Sequence, residues 1–467
     1  MLRLFESFFN PLAAVGQGEQ GRNCLAYQPE EDAVQQLFRR QLQQLGVTPQ
    51  VDAWGNSYGT WVPPGCDAQQ PAMAMGSHLD SVPNGGRYDG VLGVAAGLTV
   101  LKQLQQQGEG SRPLRVIAWR GEESARFRSS CLGSKGACGV LTPAKAQQMV
   151  DAHGETLWQA LQGCRGTDPS PVQAATTHGL LEIHIEQGPI LAHQRQQQGQ
   201  PVVGVVHGIA GSLRQRWPLA GLALPGFAAL ILAIQQLAES LDQPQRPLRM
   251  TVTPCHCAPN VGRDDATLLC VDPAQAQRLA AASPYGTAQG AEVRLTGPHR
   301  FHTGGQPMSM RWGVDQVLEA AQLLVANPQE QGVRWPAFER PGGMQLQLDI
   351  RGADSARMAE VDHALAERLG HRADAREMLG ETMPDRLSQT WATQIQQVAH
   401  AQQIPTLNMA SGAGHDVQIP DLHNRGLLFI ASEAAGVSHH PSEAICPADL
   451  EQGLQLLLAS VQALSAP

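Results

Sequence analysis

Two rhythms of apolar residues run along this chain. The compact runs Pro71–Met75, Leu114–Trp119 and Leu180–Ile185 read as strands, whereas Glu31–Leu45 and Val91–Gln106 carry their apolar residues at helical spacing. Their alternation predicts an α/β fold. Each of the three runs stops at charged or metal-competent residues. Ligands of open α/β sheets gather at the carboxyl ends of strands, so the chemistry is to be sought just past those runs.

The first run leads into Gly76-Ser77-His78-Leu79-Asp80 and then, after a short turn, Asn84-Gly85-Gly86-Arg87-Tyr88-Asp89-Gly90. A histidine at a strand mouth followed by two aspartates is an economical start to a divalent-metal site. The second run leads into Arg120-Gly121-Glu122-Glu123-Ser124. Adjacent glutamates at a strand end diverge, so one can bind a metal while the other carries protons, although such a pair more often marks a solvated turn. The third run holds His184 inside an apolar alternation, the usual setting of a core histidine. A fourth, Leu427–Ile430, leads through Gly436-Val437-Ser438 to His439.

Taken together, His78, Asp89, Glu123, His184 and His439 each stand at or just beyond an apolar run. Nitrogen and oxygen donors without cysteine suit zinc, and also manganese, cobalt or nickel. Five ligands with one shared carboxylate would hold two ions, an arrangement that polarises a carbonyl and brings a bridging water close to neutrality in pKa.

Composition narrows the partners. At 467 residues the chain has room for two or three domains. The formal charge of -9 is spread out with no long Lys/Arg block, which argues against nucleic acid or an anionic membrane as the main partner. The apolar N-terminus is broken by Glu6 and Asn10-Pro11, and the longest later apolar segment, Leu222–Leu237, by Pro225-Gly226. Neither a signal peptide nor a membrane span is expected, which leaves the cytoplasm as the default location. Nine scattered cysteines do not suggest a disulfide framework. Cys255-His256-Cys257 reads as buried strand cysteines rather than half of a zinc site.

In order along the chain, Gly-Ser-His-Leu-Asp-Ser-Val-Pro-Asn-Gly-Gly-Arg-Tyr-Asp-Gly, Glu-Glu-Ser, His-Ile-Glu-Gln-Gly-Pro, Ser-Gly-Ala-Gly-His-Asp and Gly-Val-Ser-His closely resemble the motifs of the amidase/hydantoinase/carbamoylase family. This is the branch of the aminoacylase-like metallopeptidase superfamily that contains N-carbamoyl-L-amino acid hydrolases and allantoate amidohydrolases. The resemblance covers most of residues 20–211 and 290–467. It implies a dinuclear-metal, aminopeptidase-like catalytic domain (1–211 and 385–467) with an inserted ferredoxin-like α+β lid (212–384). It further implies that Asp89 bridges two divalent ions, that His78 and His184 hold one each, and that Glu123 and His439 complete the pair. Glu122 would be the general base, and Asp80 would hydrogen-bond the far nitrogen of His78. Gln187, Asn260, Arg351 and His415 carry over as substrate contacts, and His302 as the lid histidine that stabilises the oxyanion. The implied substrate is a small ureido or amide compound.

The lid departs from the family. Its histidine motif is missing after Leu213–Trp217 and occurs only downstream, at His302-Thr303-Gly304-Gly305-Gln306-Pro307-Met308-Ser309-Met310-Arg311. A strand ending at Asp272 occupies the place where an arginine is expected, and the pattern then restarts and ends at Arg351, with Phe338 where the asparagine should be. These features suggest a degenerate internal duplication with half-copies 212–290 and 291–384, in competition with an unrelated insertion over 218–290. A doubled lid implies a monomer with a pseudo-dimeric lid; a single lid implies a homodimer joined through it. A rival from another class is a metal-binding scaffold whose altered lid no longer closes productively.

Overall fold

The computed structural model describes residues 1–218, 248–255, 266–269, 286–289, 292–295, 345–352, 354–369, 376–433 and 437–466. They fall into two compact units, Met1–Ile209 with Asp385–Pro467, and Ala210–Pro384.

In the first unit, nine strands of the described residues form one mixed sheet. Its centre consists of four parallel strands in the order Arg425–Ile430, Thr177–Ile185, Ala72–His78 and Leu114–Trp119. Every residue of Ala72–His78, Leu114–Trp119 and Arg425–Ile430 is buried. Such near-continuous apolar strands belong in a sheet covered on both faces. Met73 and Met75 enter one core, with Phe38, Val94, Ile183 and Leu454. Ala74, between them, enters the other, with Ile117, Leu191, Val206 and Phe429. Period-two alternation thus feeds both layers from each strand.

The first layer contains the helices Leu2–Ala14, Pro29–Gln44, Val91–Gln107, Gln389–Ala401 and Pro447–Leu464. The expected strands and the two expected helices all form, with ends shifted by a few residues; the strand expected to stop at Met75 runs on to His78. Among the described residues, no helix is long and apolar enough to cross a membrane.

The second unit carries an antiparallel sheet in the order Leu248–Cys255, Gln345–Gly352, Gly211–Pro218 and Glu377–Thr382. Ile350 in the sheet is buried, as are Met358, Val361 and Leu365 of the helix Ser355–Leu369. Both carboxylate oxygens of Asp362 in that helix accept from one guanidinium nitrogen of Arg376, Nη1, at 2.8 and 2.9 Å, and Oδ1 also accepts from the Gln215 amide. A separate three-stranded sheet joins Ala266–Leu269, Glu292–Leu295 and Gly286–Gln289. Cys255 closes a strand, as expected for a strand cysteine; His256, Cys257, Asn260, Asp272, His302 and Phe338 lie outside the described residues.

Candidate metal centre

The four central strands are parallel, so their carboxyl ends open on the same edge of the sheet. His78 is the last residue of one and His184 the last but one of another, Glu122 and Glu123 follow the third by a few residues, and His439 lies beyond the fourth. Register brings them level: His78 pairs with Trp119, and His184 with Phe429. The turn from His78 to the helix Val91–Gln107 supplies Asp80 and Asp89.

Side-chain donors of His78, Asp89 and His184 lie within 4.8 Å of one another, as do those of Asp89, Glu123 and His439. Asp89 belongs to both groups. The carboxylate Oδ1 of Asp89 faces His78 Nε2 at 3.3 Å and His184 Nε2 at 3.1 Å. His439 Nε2 lies 3.2 Å from Asp89 Oδ2 and 3.0 Å from Glu123 Oε1. All five residues expected as ligands therefore converge.

The protonation pattern tests whether a cation fits. His78 Nδ1 lies 3.2 Å from the Asp80 backbone oxygen and 3.4 Å from its carboxylate. Both are acceptors, so Nδ1 carries the proton and a neutral ring turns its Nε2 lone pair toward Asp89. His184 does the same, with Nδ1 at 2.9 Å from the Ile185 carbonyl oxygen. With both rings neutral, lone pair would face lone pair in a buried space. Among the described residues, Asp89 Oδ1 and Glu123 Oε1 are buried and accept no hydrogen bond, an arrangement that is costly unless positive charge occupies the gap. The donor set fits a divalent cation.

The titration behaviour expresses the same demand with protons. Burial lowers the basicity of His184, but Asp89 overrides it and lifts the imidazole to about 9. Burial acts likewise on His439, and Glu123 with Asp89 lifts that ring to about 10. His78 is driven well above its usual range by Asp80 and Asp89 against its burial. Burial would raise Asp89, yet His184, His439 and His78 together hold it far below the carboxylate range.

Glu122 lies beside this centre without joining it. Burial, opposed by His78 and reinforced by Glu123, Asp80 and Asp89, raises its carboxyl to about 7. Asp80 has a task the sequence did not announce. Its two carboxylate oxygens accept the backbone N–H groups of Glu122 at 3.0 Å and Glu123 at 2.9 Å, so one aspartate sets both glutamates and the His78 ring.

Three further supports were not read from the sequence. Glu443 accepts the amides of Tyr88 at 2.8 Å and Asp89 at 3.0 Å, fixing the loop that presents Asp89. A Cβ on Gly86 would lie 2.3 Å from that carboxyl group; the Gly85-Gly86 pair signals close approach, but nothing local says that Glu443 is what approaches. The Ser438 hydroxyl donates to Asp89 Oδ2 at 3.0 Å. Arg22, fully buried, donates to the carbonyl oxygens of Leu79 at 2.7 Å and Asp80 at 3.3 Å, and so braces the turn from behind.

Of the expected substrate contacts, Gln187 is at the centre, its amide donating to Asp89 Oδ2 at 3.0 Å. His415 is buried at 2% exposure, its Nε2 at 2.9 Å from the Ser411 hydroxyl and its ring edge-on to His184. With Glu182 and His184 it forms a third cluster of possible metal donors. There, however, Glu182 already accepts from Ser77 and from the Val417 amide, and His184 turns its Nδ1 to a carbonyl. Arg351 lies in the second unit's sheet, in register with Ser212 on one side and Arg249 on the other.

The chain is 28% identical over 459 residues to an N-carbamoyl-L-amino-acid amidohydrolase of Paenarthrobacter aurescens, covering 95% of this chain and 93% of that one. It is 27% identical to an allantoate deiminase of Arabidopsis thaliana, covering 90% of this chain and 74% of the relative. Its fold superposes with a TM-score of 0.70 on a crystal structure of an amidase of the hydantoinase/carbamoylase family from Burkholderia vietnamiensis, at 20% identity over 100% of this chain and 97% of that one. The model of Peptidase family M20/M25/M40 matches residues 74–463, a span that holds all five candidate donors, and the chain belongs to that family.

Proposed function

We propose that this protein is a metal-dependent amidohydrolase that cleaves the ureido C–N bond of an N-carbamoyl-L-amino acid, and that His78, Asp89, Glu123, His184 and His439 would hold two divalent ions, zinc or manganese. The observation that carries the reading is the pair of buried acceptors, Asp89 Oδ1 and Glu123 Oε1, faced by imidazole nitrogens at 3.0 to 3.3 Å with Glu122 alongside. When bound, such ions polarise the substrate carbonyl and lower the pKa of water.

The chain's own residues do the rest. Glu122, buried beside the centre, takes a proton from the attacking water and returns it to the leaving nitrogen. Asp80 holds the backbone of Glu122 so that the carboxylate is placed before substrate arrives. Gln187 is our candidate for a substrate contact at the centre, and His415 for one adjoining it. For a carbamoyl substrate the products are carbon dioxide, ammonia and the amino acid.

The family resemblance assigns the substrate carboxylate to Arg351, since a guanidinium binds a carboxylate with two parallel hydrogen bonds. It assigns oxyanion stabilisation to His302 and a further contact to Asn260. We retain the duplicated lid as a proposal, and with it a monomer rather than a homodimer. Sedimentation of the purified protein distinguishes the two.

Purified protein supplied with manganese or zinc is expected to release ammonia from N-carbamoyl-L-amino acids. Allantoate and ureidoglycolate are the alternative ureido substrates, and a dipeptide tests peptidase-like cleavage. Absence of turnover on the whole panel, with metal bound, would favour the scaffold reading.

A further inference from the structure

Cys131 precedes the short helix Leu132–Ala137, and its backbone is left-handed at φ 56°. Glycine would hold that backbone with less strain, so what cysteine adds at this position lies in its side chain. The Cys131 amide donates to the Glu122 carbonyl at 2.8 Å, Leu132 to Gly121 at 2.8 Å, and Gly133 to Arg120 at 2.9 Å. These three bonds return the chain alongside the strand end that bears the glutamates. They deliver the Cys131 sulfur to 3.2 Å from Glu122 Oε1.

The contact is withdrawn from water, with Cys131 at 3% and Glu122 at 9% exposure. Burial, together with the negative charge of Glu122 and Asp416, pushes the thiol well above its usual range. It is therefore S–H at working pH and acts as the donor. Thiols donate weakly in water, but the low local dielectric strengthens a bond to a carboxylate.

We infer that Cys131 is a positioning residue for Glu122: its thiol holds Oε1 by a hydrogen bond and leaves the other carboxylate oxygen to exchange the proton in hydrolysis. The inference rests on the assignment of Glu122 as the base. A glutamate has three side-chain torsions, and a proton carrier must be placed to a fraction of an ångström to work. Asp80 fixes only the backbone of Glu122; the thiol fixes its far end. The bland reading is that Cys131 merely fills space beside the loop.

Serine separates the two readings, because it keeps a donor while giving up the volume of sulfur, whereas alanine gives up both. With the metal-loaded enzyme, Cys131→Ala is expected to lower kcat roughly threefold to tenfold, the worth of one hydrogen bond, at nearly constant KM. Cys131→Ser is expected to recover most of that loss. An unchanged kcat in Cys131→Ala, or a serine variant as impaired as the alanine variant, would overturn the inference.

An infrared measurement on the wild-type fold stands independently of the alanine variant. The S–H stretching band of Cys131, assigned by its loss in Cys131→Ser, should lie below those of the other thiols and move upward in Glu122→Gln. A band that does not move refutes the bond. Retained turnover in Glu122→Gln would remove the base assignment itself, whereas lost turnover there with an unaffected Cys131→Ala removes only the role of Cys131.

Discussion

His184 turns Nδ1 to the Ile185 carbonyl at 2.9 Å and thereby aims Nε2 at Asp89 Oδ1, 3.1 Å away. A backbone bond to its neighbour in sequence decides which face of the ring is the ligand. His78 is oriented in the same way by Asp80, so both rings are set before any ion arrives.

Asp89 should be the residue on which both metal groups depend. Asp89→Asn keeps the shape but turns one oxygen into an N–H donor facing imidazole. We expect metal content to fall at both groups and activity to drop by at least about 100-fold, since even supporting residues of metal sites are worth 10- to 100-fold. Metal analysis after gel filtration, beside turnover, checks this.

Metal uptake should release protons. In the metal-free protein His184 sits at about 9 and His439 at about 10, so both rings are protonated at pH 8. A metal needs the bare nitrogen, so binding must expel those protons, and affinity must weaken as pH falls below these values. Calorimetric titration in buffers of differing ionisation enthalpy measures the release; a buffer-independent heat at pH 8 would contradict it.

Replacing Glu122 with glutamine should leave metal content unchanged, because Glu122 belongs to neither donor group around Asp89. Turnover should fall by roughly 10² to 10⁴, the usual worth of a positioned acid or base. Activity within tenfold of wild type would move the proton transfer elsewhere.

Gly90 should resist substitution for two separate reasons. Its φ is 69°, and a Cβ there would lie 2.5 Å from the His78 ring. Gly90→Ala is expected to cost at least about 1 kcal/mol from backbone strain alone, lowering Tm by at least about 1–2 °C. Metal affinity should weaken further as the ring is displaced. A variant with wild-type Tm and wild-type metal content would refute both arguments.

The candidate donors were legible because each stands at or just beyond the end of an apolar run, and parallel strands of an α/β sheet bring such ends to one edge whatever the intervening chain does. The supports were not. Glu443 is 354 residues from the Asp89 amide it accepts, and Cys131 reaches Glu122 through a loop whose closure no local pattern announces. Asp80 was expected at His78, yet its strongest bonds go to the amides of Glu122 and Glu123, on a different strand end.

Alternating apolar runs and the chemistry of their last residues, both local properties, were enough to predict the α/β class and to single out His78, Asp89, Glu123, His184 and His439 as candidate metal donors, whereas the choice of Glu122 as base came from the family resemblance. Only the tertiary structure decided which ring nitrogen faces Asp89, why two carboxylate oxygens are left without donors, and what holds Glu122 in place. Those depend on distances between residues far apart in the chain. Hydrophobic patterning determines which strands pack, but the partner of each buried polar atom is settled only once the sheet has assembled.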